Sequence, residues 1–152
     1  MMRKYIRTLS LAILLILSMD SSAQLPNGSI APDFTATDIN GVEYNLYELL
    51  DAGNTVILDF FATWCGPCWT YKESGVLDDI WNIYGPNGTG DVYVFSLESD
   101  GSTTSADLYG TGSNTIGDWV TGTPHPVFDN AQSRALIHIS EPTRPERISY
   151  AV

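Results

Sequence analysis

The stretch Asp59-Phe60-Phe61-Ala62-Thr63-Trp64-Cys65-Gly66-Pro67-Cys68-Trp69 decides how the rest of the chain is read. Its two cysteines are the only ones in 152 residues, and two residues separate them. An apolar run, Val56-Ile57-Leu58-Asp59-Phe60-Phe61, leads into them and reads as a buried strand. Behind them Val76, Leu77, Ile80, Trp81, Ile83 and Tyr84 recur at helical spacing. Cys65 is therefore expected where a strand ends and a helix begins. There the partial positive charge and unsatisfied N–H groups of the helix terminus favour a thiolate over a thiol. Cys65, at the mouth of the helix, is the expected exposed nucleophile. Cys68, one turn further in, is the expected resolving thiol that closes a disulfide. Pro67 falls in the first turn, where its missing N–H costs little. Gly66 lets a partner's backbone approach closely.

Other readings of the pair are weaker. A zinc site usually needs a second Cys/His pair, and His125 and His138 stand apart and unpaired. A purely structural disulfide closing so short a loop stabilises little. Exchange between a dithiol and a disulfide needs neither metal nor cofactor, and it is the preferred chemistry here.

The stretch resembles the active site of thioredoxin, a Trp-Cys-Gly-Pro-Cys motif that follows an apolar strand carrying a buried Asp. Asp59 stands six residues before Cys65, the thioredoxin spacing. The resemblance implies that Asp59 is a buried carboxylate that takes the proton of the resolving thiol, and burial would raise its pKa as that role requires. It further implies that Trp64, Gly66 and Pro67 shape the surface that meets a substrate, although Trp64 and Trp69 have a plainer reading as packing beside the site. The opening Ala31-Pro32-Asp33-Phe34 is similar to secreted redoxins of the TlpA type and to peroxiredoxins, and plain thioredoxin lacks it. The Pro and Thr or Ser that a peroxiredoxin sets before its cysteine are absent.

The first residues read as a separate unit. Arg3, Lys4 and Arg7 precede an apolar core from Leu9 to Leu17 that is too short to span a membrane comfortably. Ser21-Ser22-Ala23 supplies small residues for cleavage, so 1–23 is read as a secretory signal peptide with Gln24 as the mature N-terminus. Export suits a redox-active cysteine pair, and no stable membrane insertion is expected after cleavage. At the other end, 136–152 continues no periodicity. Translated back into codons it resembles a sequencing-library adapter, a barcode and a flow-cell primer in one frame, and it is read as adapter read-through. The domain is then 24–135. That span holds all but three of the 18 acidic residues (Asp20, Glu141 and Glu146) and only two of the 7 basic ones, Lys72 and Arg134. Such a balance argues against nucleic acid and against anionic membrane surfaces as partners.

Within the domain, residues 31–38 alternate into a short strand, Asn40-Gly41 marks a hairpin turn, and 43–46 returns. Residues 47–51 form a short helix ended by Gly53. Residues 91–97 make a strand parallel to the first by the βαβ rule. The Gly-, Ser- and Thr-rich segment 100–114 is read as a solvated insertion with one helical turn near Ala106–Tyr109. Residues 116–120 read as a short amphipathic helix, 126–129 as a strand, and a helix begins at Ala131. The fold expected is α/β and thioredoxin-like: a central mixed β-sheet flanked by helices, with an N-terminal β-hairpin, incomplete at the C-terminus.

The family sets a cis-proline opposite its cysteines. Thr123-Pro124 and His125-Pro126 are the candidates here, and the TlpA order of elements puts the cis-proline beyond Arg134. A 152-residue chain lacking that strand is expected to fold poorly. His125 is read as a solvated loop residue. The function expected from the resemblance is an exported thiol–disulfide oxidoreductase, acting as a reductase. Its partners are protein disulfides and an upstream electron donor. The Gly-Pro between the cysteines resembles thioredoxin, whose potential of about −270 mV lies on the reducing side. The alternative is an exported binding or adhesion module whose disulfide is structural or vestigial.

Overall fold

The computed structural model describes residues 31–129. The expected signal peptide at 1–23, the lead-in at 24–30, the helix expected at Ala131 and the segment 136–152 lie outside the described residues.

Strand β1 (Thr35–Thr37) pairs antiparallel with β2 (Glu43–Asn45), Ala36 opposite Tyr44. The turn between them forms where the Asn-Gly pair predicts it, with Gly41 at a φ of 83°. Asp38 holds it together: its Oδ1 accepts from the N–H groups of Asn40 and Val42, each at 2.9 Å. Asn45 then caps helix α1 (Leu46–Asp51), its side chain accepting from Glu48 N–H at 2.8 Å.

Strand β3 (Thr55–Phe61) runs parallel to β4 (Val92–Glu98), and β4 runs parallel to β5 (Val127–Phe128). The sheet order is β3-β4-β5. Among the described residues, antiparallel pairing belongs to the hairpin. The α/β, thioredoxin-like architecture with its N-terminal hairpin is as the sequence predicts.

Alternation along the strands divides the sheet into two faces. Val56, Leu58, Phe95, Leu97 and Phe128 pack with the hairpin and α1, around buried Leu46 and Tyr47. The opposite face carries Asp59, Phe61, Ser96, Glu98 and Val127. It is the polar face, and Phe61 and Val127 are packed there with Leu108 and Trp119. β3 is less buried than its apolar run predicts: Phe60 is 46% exposed and Asp59 half-buried.

Four other expectations change. The helix expected to follow Cys65 is two helices, α2 (Gly66–Glu73) and α3 (Val76–Tyr84), and the helical spacing read from the sequence lies in α3. Gly75, at a φ of 72°, breaks them apart in a conformation that glycine adopts freely. Residues 116–120 form no helix. There Thr115 Oγ1 takes the Gly117 N–H, and Asp118 Oδ1 takes those of Val120 and Thr121, so side chains compete for the helix donors. The insertion is not a solvated loop: it folds into α4 (Ser105–Leu108), and Thr103, Asp107 and Leu108 are buried. Its one helical turn lies where the sequence predicts. Lastly, His125 is buried, 6% exposed, and not a solvated loop residue. All peptide bonds among the described residues are trans, so neither Pro124 nor Pro126 is a cis-proline. No helix among them is long and apolar enough to cross a membrane.

Gly117 packs directly on the Trp69 ring, leaving no room for a methyl group. Gly117→Ala is expected to lower stability by about 1–3 kcal/mol through overpacking. Urea unfolding followed by tryptophan fluorescence measures it, and an unchanged midpoint would show that the contact yields without cost.

Candidate active site

Cys65 is the N-cap of α2, in extended backbone, and Pro67 occupies the first turn, both where the sequence predicts them. The Cys65 and Cys68 sulfurs are joined as a disulfide. Cys68 N–H donates to Cys65 Sγ at 3.3 Å, so one orphan donor of the helix terminus already points at that sulfur. Cys65 and Cys68 are half-buried, while Trp64, Gly66 and Pro67 are exposed. The exposed residues therefore form a rim around the disulfide.

Trp64 is 51% exposed, yet it is held: its Nε1–H donates to Asp100 Oδ2 at 2.6 Å. Asp100 also accepts from Ser102, and these hydrogen bonds hold its carboxyl below the usual carboxylate range. Trp69 packs inward, 5.0 Å from the Trp119 ring, with Lys72 Nζ 5.1 Å over its own ring.

Thr63, fully buried, ties this loop to the insertion. Its Oγ1–H donates to Asn114 O at 2.6 Å, and its carbonyl accepts from Ile116 N–H and from Trp119 Nε1–H, each at 3.1 Å. Trp119 also stacks on Phe61 with ring centroids 4.4 Å apart. Glu98, at the end of β4, is 1% exposed; it accepts from Thr103 Oγ1–H at 2.6 Å and from Asp100 N–H at 3.1 Å, and burial pushes its pKa up. Sequence reasoning passed over Thr63, Glu98 and Trp119. The available signal was chemical: a buried Trp or Glu needs a partner, and the polar insertion can supply it.

Asp59 lies on the polar face of β3, in register with Ser96 on β4. Burial raises its pKa, and a 3.5 Å hydrogen bond from Ser96 Oγ offsets part of that rise. Ser96 Oγ is also 2.9 Å from His125 Nε2, and His125 Nδ1 lies 3.2 Å from Asp78 Oδ1. Asp59, Ser96, His125 and Asp78 all border one cleft of about 20 Å³, walled by Phe61, Leu77 and Trp119. Burial, with a smaller effect from Lys72, depresses His125 to about 4, so its imidazole is neutral near pH 7. Burial raises the pKa of Asp78.

The unfolded chain protonates His125 near 6.5 and the folded protein only near 4. Between those values the unfolded state binds more protons, so the stability carried by neutral His125 is complete above 6.5 and lost as pH falls towards 4. At about 1.4 kcal/mol per unit, wild type should lose roughly 3 kcal/mol relative to His125→Gln between pH 7 and pH 4. The raised carboxyl groups act with the opposite sign and are common to both proteins. Urea unfolding at stepped pH checks this, and a stability difference independent of pH would contradict it.

The AhpC/TSA family model matches residues 27–106, from the lead-in through the cysteine pair and β4 into α4. Thiol-disulfide oxidoreductase ResA of Geobacillus kaustophilus is 39% identical over 61 residues, 40% of this chain and 33% of that protein. The M-type chloroplastic thioredoxin of Brassica napus is 36% identical over 78 residues, 50% of this chain and 41% of that protein. The chain thus spans about a third to two fifths of these curated relatives. Among solved structures, the exposed lipoprotein thioredoxin Etrx1 of Streptococcus pneumoniae aligns at a TM-score of 0.47 and 24% identity, over 68% of this chain and 70% of that one. With its Cys65–Cys68 disulfide on a thioredoxin-like fold related to the thiol-disulfide oxidoreductases, the chain belongs to the AhpC/TSA family.

Proposed function

We propose that this protein is an exported, TlpA-type thiol–disulfide oxidoreductase that reduces disulfides in partner proteins. The observation that carries the reading is Cys65 as N-cap of α2, at the rim of the site, with the Cys68 N–H already on its sulfur. The same donor and the helix terminus stabilise a thiolate there once the disulfide is reduced.

In the reduced protein the Cys65 thiolate attacks one sulfur of a partner disulfide. The partner's S–S bond breaks, a Cys65–partner mixed disulfide forms, and a partner thiolate leaves. Cys68 then gives its thiol proton to Asp59 and attacks the Cys65 sulfur. The mixed disulfide breaks, the second partner thiolate leaves, and the Cys65–Cys68 disulfide closes. Two electrons have passed from the dithiol to the partner, and an upstream thiol donor returns them. Asp59 suits its part because burial raises its pKa towards the range in which it can take and release a proton. Trp64, Gly66 and Pro67 form the exposed contact surface, with Trp64 held in place by Asp100. The signal-like residues 1–23 support export, and the Gly-Pro pair between the cysteines supports the reducing direction.

Insulin reduction with dithiothreitol as donor tests the reading. Wild type should be active and Cys65→Ser inactive, while Cys68→Ser should accumulate a mixed disulfide visible by mass. Asp59→Asn should slow turnover roughly tenfold, less than the full worth of a positioned base because water can still take the proton. A wild-type protein that leaves insulin intact, with a Cys65 pKa near the ordinary value of about 8.5, would sink the proposal in favour of a structural disulfide.

A further inference from the structure

The polar face of the sheet carries groups that packing alone does not require. Ser96 and His125 are 7% and 6% exposed, and polar groups at that depth cost stability unless they are paired. Their pairing runs in one line. Asp59 Oδ2 is 3.5 Å from Ser96 Oγ, Ser96 Oγ is 2.9 Å from His125 Nε2, and His125 Nδ1 is 3.2 Å from Asp78 Oδ1. The line starts at the carboxyl to which the reading above gives the Cys68 proton and ends at a side chain that is 35% exposed. Each middle member can donate and accept at once, as a hydroxyl and a neutral imidazole do. All four border the same cleft, whose volume of about 20 Å³ is on the scale of one water molecule.

We propose that Ser96, His125 and Asp78 form a proton path between Asp59 and solvent, serving the resolving step of the dithiol. This rests on the oxidoreductase reading of Asp59 given above. In the outward direction the protonated Asp59 carboxyl gives its proton to Ser96 Oγ while the Ser96 proton passes to His125 Nε2. The Nδ1 proton passes to Asp78, which releases it to water. One proton leaves Asp59, one reaches solvent, and the imidazole ends neutral in its other tautomer. When the disulfide is reduced again Cys68 needs a proton back, so the same steps in reverse reset the tautomer.

Several features fit this use. Burial disfavours an imidazolium, so protons have to pass through the ring without resting on it. His125 Nδ1 is buried and has no aligned hydrogen bond among the described residues, and Asp78 Oδ1, 3.2 Å away, is the carboxylate oxygen beside it. Side-chain motion of the half-exposed Asp78 makes that last transfer. The charged groups acting on the path are Asp59 from β3, Lys72 from α2, and Asp78 with its neighbour Asp79 on α3. The Trp81 ring, 6.5 Å from His125, closes another side. Ser96, His125 and Asp78 act through Asp59 and are positioning residues, not catalytic ones.

Two readouts on the full chain test the path. In the first, ring nitrogen-15 shifts of His125 are followed while Asp59 titrates, with Asp59→Asn identifying that step. The Nε2 shift should report the Asp59 step in wild type and lose it in Ser96→Ala. An Nε2 shift blind to Asp59 in wild type overturns the path. In the second, the reduced protein reacts with insulin in a single turnover near pH 7. His125→Gln keeps a hydrogen-bonding amide but relays no proton, and should slow the Cys68 step roughly tenfold. Added imidazole buffer should restore the rate to within about twofold, whereas wild type should ignore the buffer. A His125→Gln rate equal to wild type, or a loss that no buffer restores, overturns the path. Ser96→Ala takes over this arm if the glutamine variant does not fold. A wild-type protein inert towards insulin sinks the oxidoreductase reading instead, and the shift experiment still decides the path by itself.

Discussion

Parallel pairing joins β3 to β4 along their whole length, from Thr55–Val92 to Phe61–Glu98. That ladder fixes two things at once. It delivers the chain at Phe61, so that four residues later Cys65 can cap α2, and it sets Asp59 directly beside Ser96. A slip of β3 by one residue would turn Asp59 to the opposite face and set Phe60 beside Ser96 in its place. The polar face would then lose the carboxyl that pairs with Ser96.

The two faces of the sheet bear different loads. One is an ordinary core, in which Val56, Phe95, Leu97 and Phe128 are covered by the hairpin and α1. The other mixes Phe61, Val127 and Trp119 with Asp59, Ser96, Glu98 and His125. Placing so many ionisable groups at one buried surface is unfavourable unless each finds a partner. Glu98 finds Thr103 and the Asp100 N–H, and His125 finds Ser96.

The segment after β4 gives the dithiol loop its rigidity. Thr63 is clamped from three directions by Asn114, Ile116 and Trp119, and Trp64 is held by Asp100. An exposed tryptophan on a free loop would lose considerable side-chain entropy on meeting a partner; one already hydrogen-bonded loses less. The Gly/Ser/Thr-rich composition here serves tight turns and local side-chain hydrogen bonds, as the Thr104–Asp107 capping box illustrates, rather than flexibility.

The sequence by itself determined the elements whose causes are local. The apolar run before Cys65, the Asn-Gly turn, the Pro in the first helical turn and the βαβ order can all be read within a few residues, because strand alternation, turn geometry and helix capping act over that range. It could also point to Asp59, through the spacing shared with thioredoxin. What only the tertiary structure decided are the contacts made across the sheet. Ser96 meets Asp59 across 37 positions and His125 across 29, and Trp119 meets Thr63 across 56. Nothing near His125 distinguishes a buried imidazole from a loop residue, since its burial comes from the packing of α3 and the path of the chain into β5. Local spacing also could not show that residues 116–120 would give up a helix, because Thr115 and Asp118 have to outcompete the helix ladder within a segment already pinned at Thr63 and Trp69.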